Sequence, residues 1–129
     1  MKWLTLEQVA KAANRGPKTA LKCSQEHWLQ MSTATQAEMK AFIEADDCNT
    51  PPWGPDYCAL CQRYRYEDNA CDNCPLCVVG NHCGRESLYE VATDHLLEWT
   101  KTHDRKAWQR WKYWSAKMYE TLRELEPGK

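Results

Sequence analysis

Apolar side chains return at three- and four-residue steps through most of the chain, and breaker residues divide that periodicity into blocks. Thr5 and Gln8 have the spacing of a capping box, and Leu4, Leu6, Val9 and Ala10 supply an apolar face, so a first helix is predicted to begin there. Asn14-Arg15-Gly16-Pro17 ends it, with Gly suited to the position after a helix and Pro to the first turn of the next. Ala20, Leu21, Cys23, His27, Trp28 and Met31 mark a second helix from about Lys18 to Met31. TQAEMKAFIEADD reads as a short third helix with Met39, Phe42 and Ile43 on one side. A breaker-rich loop, Asp47 to Pro55 with three Pro and a Gly, follows and leads into a cysteine-dense stretch. There the spacing predicts tight turns, with very short strands at 63–66 and 77–79.

Helical periodicity resumes at Ser87-Leu88-Tyr89-Glu90, another capping-box pattern. Leu88, Val91, Ala92, His95, Leu96 and Trp99 carry the stripe to about Thr102. Asp104 starts a last helix in which Trp108, Trp111, Ser115, Met118, Leu122 and Leu125 recur at alternating steps of three and four, a heptad seam. The short link through His103 predicts an antiparallel hairpin of the last two helices. The seam is expected to be core, with a homodimer through the last helix as the alternative to a monomer. The whole reads as one mainly α domain over 1–129. Residues 1–47 form N-terminal helices, 48–86 a cysteine-rich metal module, and 87–126 the hairpin.

Composition sharpens this in two ways. The chain has seven Trp and six Tyr against one Phe, so some of these polar-handled rings are expected in the core and others at a surface that meets a partner. Its 17 basic and 18 acidic side chains leave a net charge of −1, so no global field draws it to nucleic acid or anionic lipid. No apolar run has the length of a membrane span and the first residues lack a leader's apolar region, so a cytoplasmic location is expected.

In a reducing compartment, clustered cysteines favour metal ligation over disulfides. CALCQRYRYEDNACDNCPLCVVGNHC, residues 58–83, holds six of the eight cysteines. Cys58-x2-Cys61 and Cys71-x2-Cys74 are two thiolate pairs at short separation, the pattern of a tetrahedral zinc site. Each CxxC turn aims two sulfurs at one centre and leaves backbone N–H groups to bond them. A site closed by four protein ligands has no open position, so zinc here is expected to be structural. Cys77, His82 and Cys83 exceed what one zinc requires. CxxCxxC beside Pro75 has features of an iron–sulfur run without its fourth spacing, and both iron–sulfur and disulfides are weaker readings than zinc. Cys23 reads as a small buried hydrophobe.

The CALC motif, the C-x-x-C-P-L run, a Gly shortly before Cys83 and the N-terminal KTALKCSQEHW together resemble a set of small cysteine-rich proteins encoded by bacteriophages. The resemblance covers about 100 residues and implies a context, a phage-encoded protein inside a bacterial host, more than a chemistry. It maps recurring cysteines onto Cys58, Cys61, Cys71, Cys74 and Cys83. The preferred four ligands are Cys58, Cys61, Cys74 and Cys83, with Cys71 as substitute.

No phosphate loop, GxSxG or HExxH motif is present. A Cys83–His95 pair, or His82 with Glu86, is too generic to carry an enzyme reading, so no catalysis is expected. Basic residues from Lys101 to Lys117 are interleaved with Trp108, Trp111, Tyr113 and Trp114, and Arg63, Tyr64 and Arg65 repeat the theme. Such side chains serve nucleic-acid binding through phosphate contact and base stacking. They are also the residue types that dominate protein interfaces. The leading expectation is a non-enzymatic, zinc-stabilised protein that binds a host protein, as an inhibitor of a defence or regulatory component. Arg63, Tyr64, Arg65, Arg110, Trp111 and Trp114 are its candidate contacts, and nucleic-acid binding through the last helix is the alternative.

Overall fold

The computed structural model describes residues 1–45, 57–64, 74–75 and 87–125. These form six helices and, among the described residues, no strand: α1 (Leu6–Arg15), α2 (Pro17–Thr33), α3 (Gln36–Ala45), α4 (Ala59–Tyr64), α5 (Leu88–Thr102) and α6 (Arg105–Arg123). The chain is therefore mainly helical, as its periodicity predicts.

The local signals at the helix ends are formed. Thr5 accepts from the Gln8 N–H at 3.2 Å and the Gln8 side chain accepts from the Thr5 N–H at 2.9 Å, the reciprocal capping box. Gly16, at φ 154°, turns the chain between α1 and α2 in a conformation that side chains with a Cβ rarely adopt. Thr35 and Glu38 make a second reciprocal pair at the start of α3. Ser87 accepts from the Glu90 N–H at 3.1 Å to open α5. His103 closes that helix in the left-handed conformation, and Asp104 begins α6 by accepting from the Lys106 N–H.

Helix α2 is central. Every apolar position predicted on it is buried, and it packs against α1, α4 and α6. Trp28 lies at a three-helix junction, its ring 6.2 Å from Tyr89 of α5 and 6.0 Å from Trp111 of α6. Gln30 pins the N-terminal segment, accepting from the Leu4 N–H at 3.0 Å and donating to the Lys2 carbonyl at 2.7 Å. On the other side Trp3, Phe42, Tyr57 and His27 form a chain of ring contacts, which is how a domain with one Phe fills its periphery.

The heptad stripe of α6 is buried against α2 and α5: Trp108, Trp111, Ser115, Met118 and Leu122 all face inward. Trp99 of α5 meets Trp108 at 4.7 Å across the two-residue link. With that seam closed inside one chain, a second copy would have to use the outward side of α6.

The structure also corrects two expectations. Arg63 and Tyr64, predicted to begin a short strand, lie in the helical turn α4. Ala59, Leu60 and Tyr64 sit on one side of that turn and are all buried, which anchors it to α1 and α2. The face of α1 also differs: Val9 and Ala13 point inward, whereas Leu6 is exposed. The strand expected at 77–79 lies outside the described residues.

Candidate metal centre and binding face

Cys58 and Cys61 bracket the start of α4. The Cys61 backbone N–H donates to the Cys58 Sγ at 3.4 Å, the N–H···S contact that a CxxC turn supplies to a metal-bound sulfur. The Cys61 thiol also hydrogen-bonds Cys58. That bond does most to pull the Cys58 thiol down to about 7, against the opposing effect of burial. The Cys61 N–H, the Ser24 hydroxyl and the Leu60 N–H add to it. Two sulfurs thus converge with donors already placed around one of them.

Ser24 comes from α2. Its Oγ lies 3.9 Å from the Cys58 Sγ and accepts from the Leu60 N–H at 3.3 Å. Cys23, one residue earlier, is buried, and burial pushes its thiol up to about 11, with Glu26 and Cys58 acting in the same direction. That is the behaviour of the small core hydrophobe expected from its position. Cys74 is buried in the same core.

These donors fit half of a tetrahedral thiolate site. Among the described residues no three Cys, His, Asp or Glu side chains come together to hold a metal ion. The remaining candidates Cys71 and Cys83, with Cys77, His82 and Cys48, lie outside the described residues, as does Arg65.

The expected contact residues fall into two groups. Tyr64 and Trp111 are buried, and Arg63 is half-buried with its Nη1 donating to the Ala13 carbonyl at 2.9 Å, at the C-terminal end of α1. These three hold the fold together, and neither buried ring can meet a partner unless the core opens. Arg110 is exposed on the outward side of α6, and Trp114 is partly buried, packing against the edge of the core. With Lys106, Gln109 and Tyr113 they line a shallow depression of about 420 Å³. Tyr113 is 57% exposed, the most exposed large hydrophobic ring among the described residues. It packs edge-on against Trp114 at 5.2 Å and lies under the Lys117 ammonium at 5.5 Å.

The charge on this face is partly compensated. Arg110 lies 3.5 Å from Glu98 and Lys117 lies 3.8 Å from Glu120. Lys112, part of the basic run in the sequence, is withdrawn from the surface: its Nζ donates to the Ala34 carbonyl at 2.8 Å, and burial lowers its pKa. The sequence shows the basic run but not which of its members are neutralised. Ser24 and Tyr113 are the residues that motif reasoning underweights. A serine in the apolar stripe of α2 and a tyrosine off the heptad seam were the available signals.

Among the described residues no helix is long and apolar enough to cross a membrane. A comparison with protein-family models, with characterised proteins and with solved structures finds no match for this chain.

Proposed function

We propose that the chain is a non-enzymatic binding protein in which a structural zinc site staples the cysteine-rich module to the helical core. The antiparallel α5–α6 hairpin then presents a recognition face. The observation that carries this reading is the outward side of α6: Tyr113 and Trp114 stand beside Lys106, Gln109 and Arg110 while the other α6 tryptophans are buried. Rings and arginine flanked by polar groups are the composition of protein-binding hot spots. The partner it fits is a protein surface that offers a ring-sized recess bordered by carboxylates. The resemblance to phage-encoded cysteine-rich proteins favours a bacterial host protein, held in an inhibitory complex.

Nucleic-acid binding is the second reading, favoured by Lys101, Arg105, Lys106, Arg110 and Lys117 on exposed positions. Glu98 and Glu120 beside two of these cations, and the inward turn of Lys112, weaken it. A photo-crosslinking residue in place of Tyr113 identifies a partner in bacterial lysate, which is then purified and titrated with the wild-type chain. The proposal expects a saturable complex that Tyr113→Ala and Arg110→Glu each weaken at least tenfold. Single-stranded and duplex oligonucleotides are titrated in parallel over a salt series. Tight binding that falls steeply with salt, without a protein complex, would replace the first reading with the second.

A further inference from the structure

We infer that Ser24 is a positioning residue of the metal centre, holding the Cys58 sulfur in place through its hydroxyl and tying metal occupancy to the packing of α2. The inference rests on the zinc reading above. Ser24 is 2% exposed, in the middle of a helix whose same side carries Ala20, Leu21 and Trp28. A serine inside a helix ordinarily turns its hydroxyl back to a carbonyl of the preceding turn, as Thr33 does here toward Leu29. Ser24 instead reaches across to α4, 34 residues further along the chain.

The direction of its bonds follows from its partners. The Leu60 N–H donates to the Ser24 oxygen. Toward a protonated Cys58 either atom could donate, but a metal-bound thiolate can only accept, so in the metal-bound state the hydroxyl's proton goes to the Cys58 sulfur. The Cys58 sulfur therefore takes an N–H from Cys61 and an O–H from Ser24. Both donors remain when zinc displaces the thiol protons of Cys58 and Cys61 to solvent. The first fixes the knuckle to itself. The second fixes it to the core, so the sulfur can meet the metal in one orientation only while α2 is in place. Donors to a ligand atom typically govern metal affinity by about 10- to 100-fold.

Ser24→Ala keeps the volume and removes the hydroxyl, but it also leaves the buried Leu60 N–H without its acceptor. A control must separate a weaker fold from a weaker site. Val9→Ala opens a cavity in the core but leaves both donors to the Cys58 sulfur in place. The full-length wild type and both variants are titrated with Zn²⁺ against a chromophoric chelator, and their Co²⁺ forms are recorded by absorption. The expected result is about a tenfold loss of Zn²⁺ affinity for Ser24→Ala. Its sulfur-to-cobalt charge-transfer band should also move to lower energy, because the sulfur lone pairs lose a hydrogen bond. Val9→Ala should leave the band in place. An unmoved band in Ser24→Ala, or an equal shift in Val9→Ala, overturns the inference while leaving the zinc reading intact. A wild-type chain that takes up neither metal overturns both.

Discussion

Replacing Trp111 by Ala, beside Tyr113 by Ala, tests the division of α6 into an inward seam and an outward face. Trp111 is fully buried and its ring lies 6.0 Å from Trp28, where α2 and α6 meet. A buried Trp removes about 150–250 Å² from water. At about 25 cal/mol per Å² that corresponds to roughly 4–6 kcal/mol as an upper bound. Measured Trp-to-Ala losses in cores run about 3–5 kcal/mol, so Trp111→Ala should cost about 4 kcal/mol. A domain of this kind has about 5–15 kcal/mol in total, which makes the loss a large part of its stability. Trp111→Phe should cost less, about 1–2 kcal/mol, because the indole Nε1 has no acceptor among the described residues and no hydrogen bond is lost. Tyr113, more than half exposed, should cost at most about 1 kcal/mol for its contacts with Trp114 and Lys117. Urea unfolding followed by far-UV circular dichroism reads all three variants. For a monomer the wild-type midpoint stays fixed across about a hundredfold range of protein concentration. A dimer sharing the seam would shift by about 2.7 kcal/mol over that range. A Trp111→Ala loss below about 1 kcal/mol, or a Tyr113→Ala loss equal to it, would refute the seam.

Three further outcomes are expected. Ser87→Ala removes the acceptor for the Glu90 N–H at the start of α5 and should lower stability by about 1 kcal/mol in the same urea assay, with Ser87→Asp restoring most of it. Glu38 is held down to about 2, first by the Met1 ammonium at 2.7 Å and then by the Thr35 N–H. Its folded value lies below the ordinary 4.5, so its contribution is present above about 4.5 and is lost as the pH falls toward 2. Thermal melts in that window should fall less steeply for Glu38→Gln than for wild type, and superimposable curves would exclude this role. Cys23, buried with its thiol raised to about 11, should resist iodoacetamide at about pH 8 in the native chain and react once urea unfolds it, read by peptide mass spectrometry.

Five of the helices were legible because their signals are local. Thr5, Thr35 and Ser87 bond only a few residues away, and the stripes of α2 and α6 repeat often enough to define a face. Helix α4 was not legible, because six residues, Cys61 among them, give too few turns for a period to emerge. Its helicity depends on Leu60 and Tyr64 being buried against distant segments. The roles of the aromatic and basic residues were ambiguous for the same reason. Arg63 and Arg110 look alike in sequence, yet one donates to the end of α1 and the other faces solvent. For the candidate metal centre, the CxxC spacing announced the Cys58–Cys61 pair. The hydroxyl of Ser24 beside it reflects a packing of α2 on α4 that no short motif encodes.

The central claim, that zinc is the structural staple of this fold, is tested most directly by elemental analysis of the chain purified without added metal. Near-UV circular dichroism before and after chelation accompanies it. The account predicts about one zinc per chain, and loss of the near-UV signal when a chelator removes it. Iron in place of zinc, or a metal-free chain with an unchanged near-UV spectrum and melting temperature, would contradict it.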